Sequence, residues 1–195
     1  LYMLSEMITI AVIFYLWRKK GGAMAFRFAV VFLVMHLLAF VTYIFYPVAP
    51  PWYVDQYGLI QPENWIPGSA AGLVRFEVLL NSTFITSSYS NLNAFVFGAI
   101  PSMHIGNATG ISIYLLRTVH KRFRIFVFIY FFSVLFGSMY LNHHYLIDGI
   151  IGAFYGAITY CFIEKIFKKQ IMSLYKFVSF YFSKQMSFLF CEKLS

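Results

Sequence analysis

Long apolar runs along this chain alternate with short basic clusters, and the alternation predicts an all-α membrane protein. The first run, Leu1 to Trp17, is broken only by Glu6 and closes on Arg18-Lys19-Lys20-Gly21-Gly22. The second, Phe28 to Tyr46, has 19 residues without a formal charge. At about 1.5 Å per residue it covers roughly the 30 Å of a bilayer's hydrocarbon core. Further runs extend from about Pro101 to Leu116, from Ile125 to about Leu141, and from about His144 to Ile163. The segment 47–100 holds five of the six prolines (Pro47, Pro50, Pro51, Pro62, Pro67), which excludes one continuous helix there. The expected fold is a polytopic helix bundle with about five transmembrane helices. Residues 1–163 form its membrane unit, and 164–195 form a basic tail whose mixed Phe, Tyr, Met and Lys pattern reads as an interfacial amphipathic helix.

Composition sharpens this picture. Of 195 residues, 61% are hydrophobic and 11% charged, less than half the charge of an ordinary soluble domain. That excludes a soluble globule, a disordered tail and a nucleic-acid-binding module. The net charge of +8 reads as an orientation signal. If the loop after the first run is cytoplasmic, so are Arg18, Lys19, Lys20, Arg27, Arg117, Lys121, Arg122, Arg124, Lys165, Lys168, Lys169, Lys176, Lys184 and Lys193, 14 of the 15 basic residues. Arg75 alone falls on the other side. The 47–100 segment then faces the lumen or cell exterior, where Asn81-Ser82-Thr83 forms a glycosylation sequon. Cys161 and Cys191 make no disulfide framework. Residue 1 is Leu, so the chain is expected to begin inside a longer reading frame.

With the spans drawn, three polar clusters reach the same, non-cytoplasmic face. They are Tyr46 to Tyr53, Gly98 to His104, and Tyr140 to Asp148. His144 and Asp148 are four residues apart, so on a helix they share a face. A carboxylate there can fix one imidazole tautomer, leaving the other nitrogen to attack. Pro101 suits the first turn of a helix, whose free amides, with the Ser102 hydroxyl, would point at an anion. His104 on that turn can act as general acid toward a leaving oxygen. His143 would point about 100° away from His144 on a helix, and could contact phosphate or inositol. Gly106 with Gly110, and Gly152 with Gly156, read as small-xxx-small pairs for close helix approach.

Pro101-Ser102-Met103-His104 and His144-Tyr145-Leu146-Ile147-Asp148 resemble the signature of the type 2 phosphatidic acid phosphatase superfamily. Ala49-Pro50-Pro51-Trp52-Tyr53, Pro67-Gly68-Ser69-Ala70-Ala71-Gly72-Leu73, Phe97-Gly98-Ala99 and His143-His144-Tyr145 look like one branch of it, the catalytic subunits of fungal inositol phosphorylceramide synthases. The resemblance implies that His144 forms a phosphohistidine, that Asp148 orients it, and that His104 protonates the departing alkoxide. It implies phosphatidylinositol as donor, ceramide as acceptor and diacylglycerol as product, with no metal or other cofactor. It also implies a Golgi or other endomembrane setting with a lumenal active site, and it is compatible with a regulatory membrane subunit. The family is usually six-spanning, so one upstream helix is expected.

The chain departs from the superfamily's phosphatases in two places. Trp52 stands where the first element carries cations, and Gly137-Ser138 replaces an Arg in the third. Arg75 is therefore expected to be the main charged contact to the phosphoryl group, with Ser102, His143 and Asn142 as further contacts. Asn107 and Tyr140 are candidates to line the site. His36, His120, Asp55, Glu63 and Glu77 read as structural or loop residues. Three rival readings remain open from sequence: a lipid phosphatase using water as acceptor, a metal site on His144, Asp148 and His104, and a non-enzymatic transporter or scaffold.

Overall fold

The computed structural model describes residues 4–58, 74–81 and 97–192, without the side chains at 56, 74–76 and 184–192. Among the described residues the regular structure is helical. α1 (Ser5–Lys20) and α2 (Gly22–Phe45) pack side by side and antiparallel, joined at Gly21. The turn needs φ +88° at that residue, which glycine adopts without steric cost. Two short helices follow, α3 (Pro51–Tyr57) and α4 (Val74–Leu80). Pro51 opens α3 at its first position, where a missing N–H leaves no bond unmade. α5 (Met103–Thr118), α6 (Arg124–Tyr140) and α7 (Leu146–Cys161) complete the bundle. A π-turn at Phe162–Ile166 leads into α8 (Lys168–Glu192), the helix formed by the tail.

α5 occupies the middle, packed against α1, α2, α6 and α7. Its face of Ile105, Ala108, Ile111 and Tyr114 meets Leu16, Phe28, Val31 and Val134 in the core. The outer faces are apolar too: Leu33, Leu37 and Val41 on α2, Phe132 and Phe136 on α6, and Phe154 and Ile158 on α7 are exposed. A bundle apolar both inside and out fits lipid as its solvent. Among the described residues three helices are long and apolar enough to cross a membrane, Gly22–Phe45, Lys121–Tyr140 and Leu146–Ile166. α1 and α5 have 16 residues each and fall short by length. The five expected crossings therefore rest, for these two, on their packing alongside α2 and α7.

Close helix approach comes from glycine, at three of the four expected positions. A Cβ on Gly152 would lie 2.1 Å from the Ser102 carbonyl oxygen, and one on Gly156 would lie 2.5 Å from that of Gly106. A Cβ on Gly106 would meet the Gly152 oxygen at 3.1 Å. Gly110 is the exception. A Cβ there would meet nothing within 4 Å, so the Gly106/Gly110 pair is corrected to Gly106 alone.

At the end of the bundle carrying the basic loops, the charges do more than mark orientation. Arg27 Nε donates to Glu164 Oε1 at 2.8 Å, and the Tyr114 hydroxyl donates to the same oxygen at 2.6 Å. Arg117 donates to the Tyr160 hydroxyl. Arg27 and Glu164 are almost wholly buried, so removing one partner leaves a buried charge alone. Glu164→Ala should destabilise the bundle by about 3–5 kcal/mol. Arg27→Met with Glu164→Leu should recover most of that loss when melting is followed in detergent.

Candidate functional site

The three polar clusters meet at the opposite end of the bundle. Val48 donates its N–H to the Phe97 carbonyl at 2.7 Å, and Ala99 donates to Val48 at 3.2 Å, forming a single parallel bridge. The Trp52 N–H reaches the Asn142 carbonyl at 2.9 Å, and the Tyr43 hydroxyl donates to the Pro101 carbonyl at 2.7 Å. Trp52 and Tyr53 pack with Ala49, Tyr57 and Phe97 into a small aromatic cluster beside this seam. The chain stretches leaving α2, entering α5 and linking α6 to α7 are thus stitched mostly by backbone hydrogen bonds.

His144 sits in the link, two residues ahead of α7, not on the helix as the four-residue spacing predicts. It still meets Asp148, because Asp148 stands in the first turn of α7 and its side chain turns back. Asp148 Oδ2 accepts the Tyr145 N–H at 2.9 Å and lies 3.4 Å from His144 Nδ1. The nearer partner of Nδ1 is the Ala99 carbonyl oxygen at 3.0 Å. A carbonyl can only accept, so Nδ1 carries the proton and Nε2 the lone pair. The backbone at Ala99 fixes the tautomer, and the wholly buried Asp148 supplies negative charge beside the ring.

His143 does not point away from the site. With both histidines off the helix, the 100° separation does not apply, and their ring centroids lie 5.1 Å apart. His104, in the first turn of α5, is 5.7 Å from His143 and 5.9 Å from His144 between centroids. One nitrogen from each of the three rings falls within 4.8 Å of the others. This trio could hold a phosphoryl group or a metal ion. The rival metal reading grouped His144, Asp148 and His104, whereas the nitrogens that approach one another here belong to His104, His143 and His144.

Ser102 is completely buried, and its Oγ has no hydrogen-bond partner among the described residues. Its N–H is not free for an anion as expected, because it donates to the Asp148 carbonyl at 3.0 Å. α5 begins at Met103, after a cis Ile100–Pro101 bond, so Pro101 precedes the helix and does not open it. The N-termini of α5 and α7 lie at this end, and their positive ends favour an anion beside the histidines.

Asn142 holds a left-handed backbone (φ +59°), and its side-chain amide donates to Asp55. Both it and Asp55, read as a loop residue from sequence, tie α3 to the His143-His144 link. Arg75 lies on α4, and its side chain falls outside the described residues, as do Glu63 and the sequon beyond Asn81. His36 Nδ1 donates to the Phe32 carbonyl of its own helix, 2.8 Å away, as a structural histidine would. Asn107 lines α5 one turn beyond His104 and bonds Glu6, a residue that sequence reasoning passed over. The signal was present, since Glu6 is the one charge in the first apolar run.

A family model described as the PAP2 superfamily matches residues 2–162. The chain belongs to the PAP2 superfamily. It is 35% identical over 150 residues to a phosphoinositol dihydroceramide synthase of Bacteroides thetaiotaomicron, covering 76% of this chain and 48% of that protein. An inositol phosphorylceramide synthase of Candida albicans is 38% identical over 146 residues, 74% of this chain and 30% of its own length. The catalytic subunit of inositol phosphorylceramide synthase from Schizosaccharomyces pombe is 32% identical over 139 residues, 71% of this chain and 32% of its own. The chain spans less than half the length of each of these relatives. No solved structure matches it.

His143 lies outside the membrane helices, and its pKa is pushed down to about 3 by burial, with His144 beside it as the second cause. It is neutral near pH 7. Because the folded value lies below the ordinary 6.5, the unfolded chain binds more protons between the two values. This contribution to stability is full above pH 6.5 and declines as the pH falls toward about 3. His143→Gln cannot take up that proton. It should flatten the acid side of the melting-temperature profile measured in detergent.

Proposed function

We propose that this PAP2 superfamily member is a phosphosphingolipid synthase that transfers phosphoinositol from phosphatidylinositol to ceramide. The observation that carries the reading is the Ala99 carbonyl on His144 Nδ1, which leaves Nε2 as a nucleophile beside His104 and His143. In the first step Nε2 attacks phosphorus, the bond from phosphorus to the diacylglycerol oxygen breaks, and His104 gives that oxygen its proton. In the second step the ceramide hydroxyl passes its proton to His104 and attacks phosphorus, and the N–P bond breaks. Asp148 stabilises the positive imidazole formed in the first step. His143 and the Ser102 hydroxyl hold the nonreacting phosphoryl oxygens, with Arg75 as a further cation. Asn142 takes a positioning role, through Asp55 and Trp52, in place of the phosphate contact expected from sequence.

The names of the three relatives favour a lipid hydroxyl over water as acceptor. By the distribution of basic residues the site faces the lumen of the Golgi or another endomembrane compartment, or the cell exterior. Residues 1–163 serve as the catalytic membrane unit and 164–195 as its cytoplasmic tail, and a regulatory membrane subunit is compatible with this arrangement. The test is incubation of the reconstituted protein with labelled phosphatidylinositol, with and without ceramide and with and without chelator. Inositol phosphorylceramide formed equally in chelator supports the reading. Release of inositol phosphate independent of ceramide would establish the phosphatase instead, and loss of turnover in chelator would establish a metal on the three histidines.

A further inference from the structure

Below the histidines lies a polar group that the transfer steps do not use. Asn107 stands three residues beyond His104 on α5, about 4.5 Å deeper along the helix and on a neighbouring strip of its surface. Asn107 is 1% exposed. Its amide donates to Glu6 Oε1 at 2.9 Å, while its own Oδ1 has no partner among the described residues. Ser5, next to Glu6 in the first turn of α1, is also 1% exposed and has an unpaired Oγ. Glu6 itself is exposed. It therefore presents a carboxylate at the margin of an apolar bundle, with one described hydrogen bond for about four acceptor positions.

A carboxylate at this depth is expensive, and so is an orphaned amide oxygen. If the pair were simply glue between α1 and α5, Asn107 would be expected to satisfy both ends of its amide. Counting the Ser5 hydroxyl and the Asn107 amide as donors, the acceptor positions of Glu6, Asn107 and Ser5 still outnumber them. Glu6 is an exposed acceptor and Asn107 Oδ1 a buried one with no described partner, next to the turn that carries His104.

We infer that Glu6 and Asn107 form the subsite for the polar backbone of the acceptor lipid, accepting the amide N–H and the secondary hydroxyl of an N-acylated amino alcohol. This inference rests on the transferase reading above. Those two donors lie within a few bonds of the primary hydroxyl that must reach His104, a separation that the single-turn step from His104 to Asn107 can span. The inositol head group is a less suitable occupant, because its ring projects to the aqueous side of the phosphorus.

The test compares apparent KM for ceramide and for phosphatidylinositol in reconstituted wild type, Glu6→Gln and Asn107→Leu. A ceramide lacking the secondary hydroxyl serves as a second acceptor. Glu6→Gln keeps the shape of the side chain, and so serves even if Asn107→Leu fails to fold. The expected result is a rise of about tenfold in the KM for ceramide with the donor KM unchanged. Wild type should also prefer ceramide over the deoxy analogue, and Glu6→Gln should lose most of that preference. Wild type forming product while Glu6→Gln keeps the acceptor KM would overturn the subsite and leave the transferase standing. A rise in donor KM alone would assign the cluster to the head group and also overturn it. If wild type formed no inositol phosphorylceramide, the functional reading would fall, and the subsite with it.

Discussion

His144→Ala is expected to lower transfer on the order of 10^4-fold or more, with membrane insertion and melting close to wild type. The expectation follows from the division of labour around the ring. The Ala99 carbonyl is held by the stretch entering α5, which bonds Val48, and the Tyr145 N–H and the Asp148 carboxylate by the link and α7, so removing the imidazole leaves their framework standing. What disappears is the lone pair on Nε2, which no neighbour replaces. Asp148→Asn should be milder, about 10^2 to 10^4-fold, because the Ala99 carbonyl continues to hold the tautomer while the charge that stabilises the imidazolium is lost. Asp148→Asn added to His144→Ala should cost almost nothing further, since groups acting as a unit are strongly non-additive. Product formation from labelled phosphatidylinositol and ceramide in vesicles measures all three. A His144→Ala protein retaining a tenth of wild-type transfer would remove His144 from the nucleophile's role.

Gly152→Ala is expected to be the most damaging small substitution in the bundle. The added methyl would stand 2.1 Å from the Ser102 oxygen, a backbone atom that cannot swing aside. Relief requires α5 and α7 to part, which costs about 1–3 kcal/mol or more. Parting them also strains the Ser102 N–H to Asp148 carbonyl bond, the direct tie between the His104 turn and the His144 link. Transfer should therefore fall well before the protein unfolds. Gly110→Ala is the matched control. It lies on α5, the helix that Gly152 of α7 packs against, with nothing within 4 Å of the added carbon, and should be neutral or slightly stabilising by up to about 1 kcal/mol. Melting in detergent and transfer rate, read together for the two variants, check this. Equal behaviour of Gly152→Ala and Gly110→Ala would contradict the packing account.

These two cases show what a reader of the sequence could and could not obtain. His104, His144 and Asp148 were legible because apolar runs with basic ends set their depth, and because few ionisable residues remained on the far side. The apolar periodicity likewise placed the helices to within a few residues, apart from the earlier start of α2 at Gly22. The tautomer-fixing group was not legible. It is the main chain at Ala99, 45 residues from His144, and any residue type could have supplied that carbonyl. The direction of the His143 ring was not legible for a related reason, since the 100° argument assumed a helix where the chain forms a turn. Glycine spacing alone gave Gly106, Gly152 and Gly156 correctly and Gly110 incorrectly, because which face of a helix meets its neighbour is set by the whole bundle. Glu6 and Glu164 show the limit for charges. One read as an interruption and the other as part of a basic tail, yet each bonds a helix about 50 or more residues away.

In the proposed mechanism His144 carries the phosphoinositol group between donor and acceptor. That role is tested most directly by mixing the reconstituted protein with phosphatidylinositol labelled at phosphorus, in the absence of ceramide, and quenching with alkali. The expected result is label bound to the protein through a linkage stable in base and labile in acid. The label should be absent from His144→Ala and be discharged into inositol phosphorylceramide when ceramide is added before the quench. Wild-type protein that makes product yet never carries label, or label found on a residue other than His144, would contradict it.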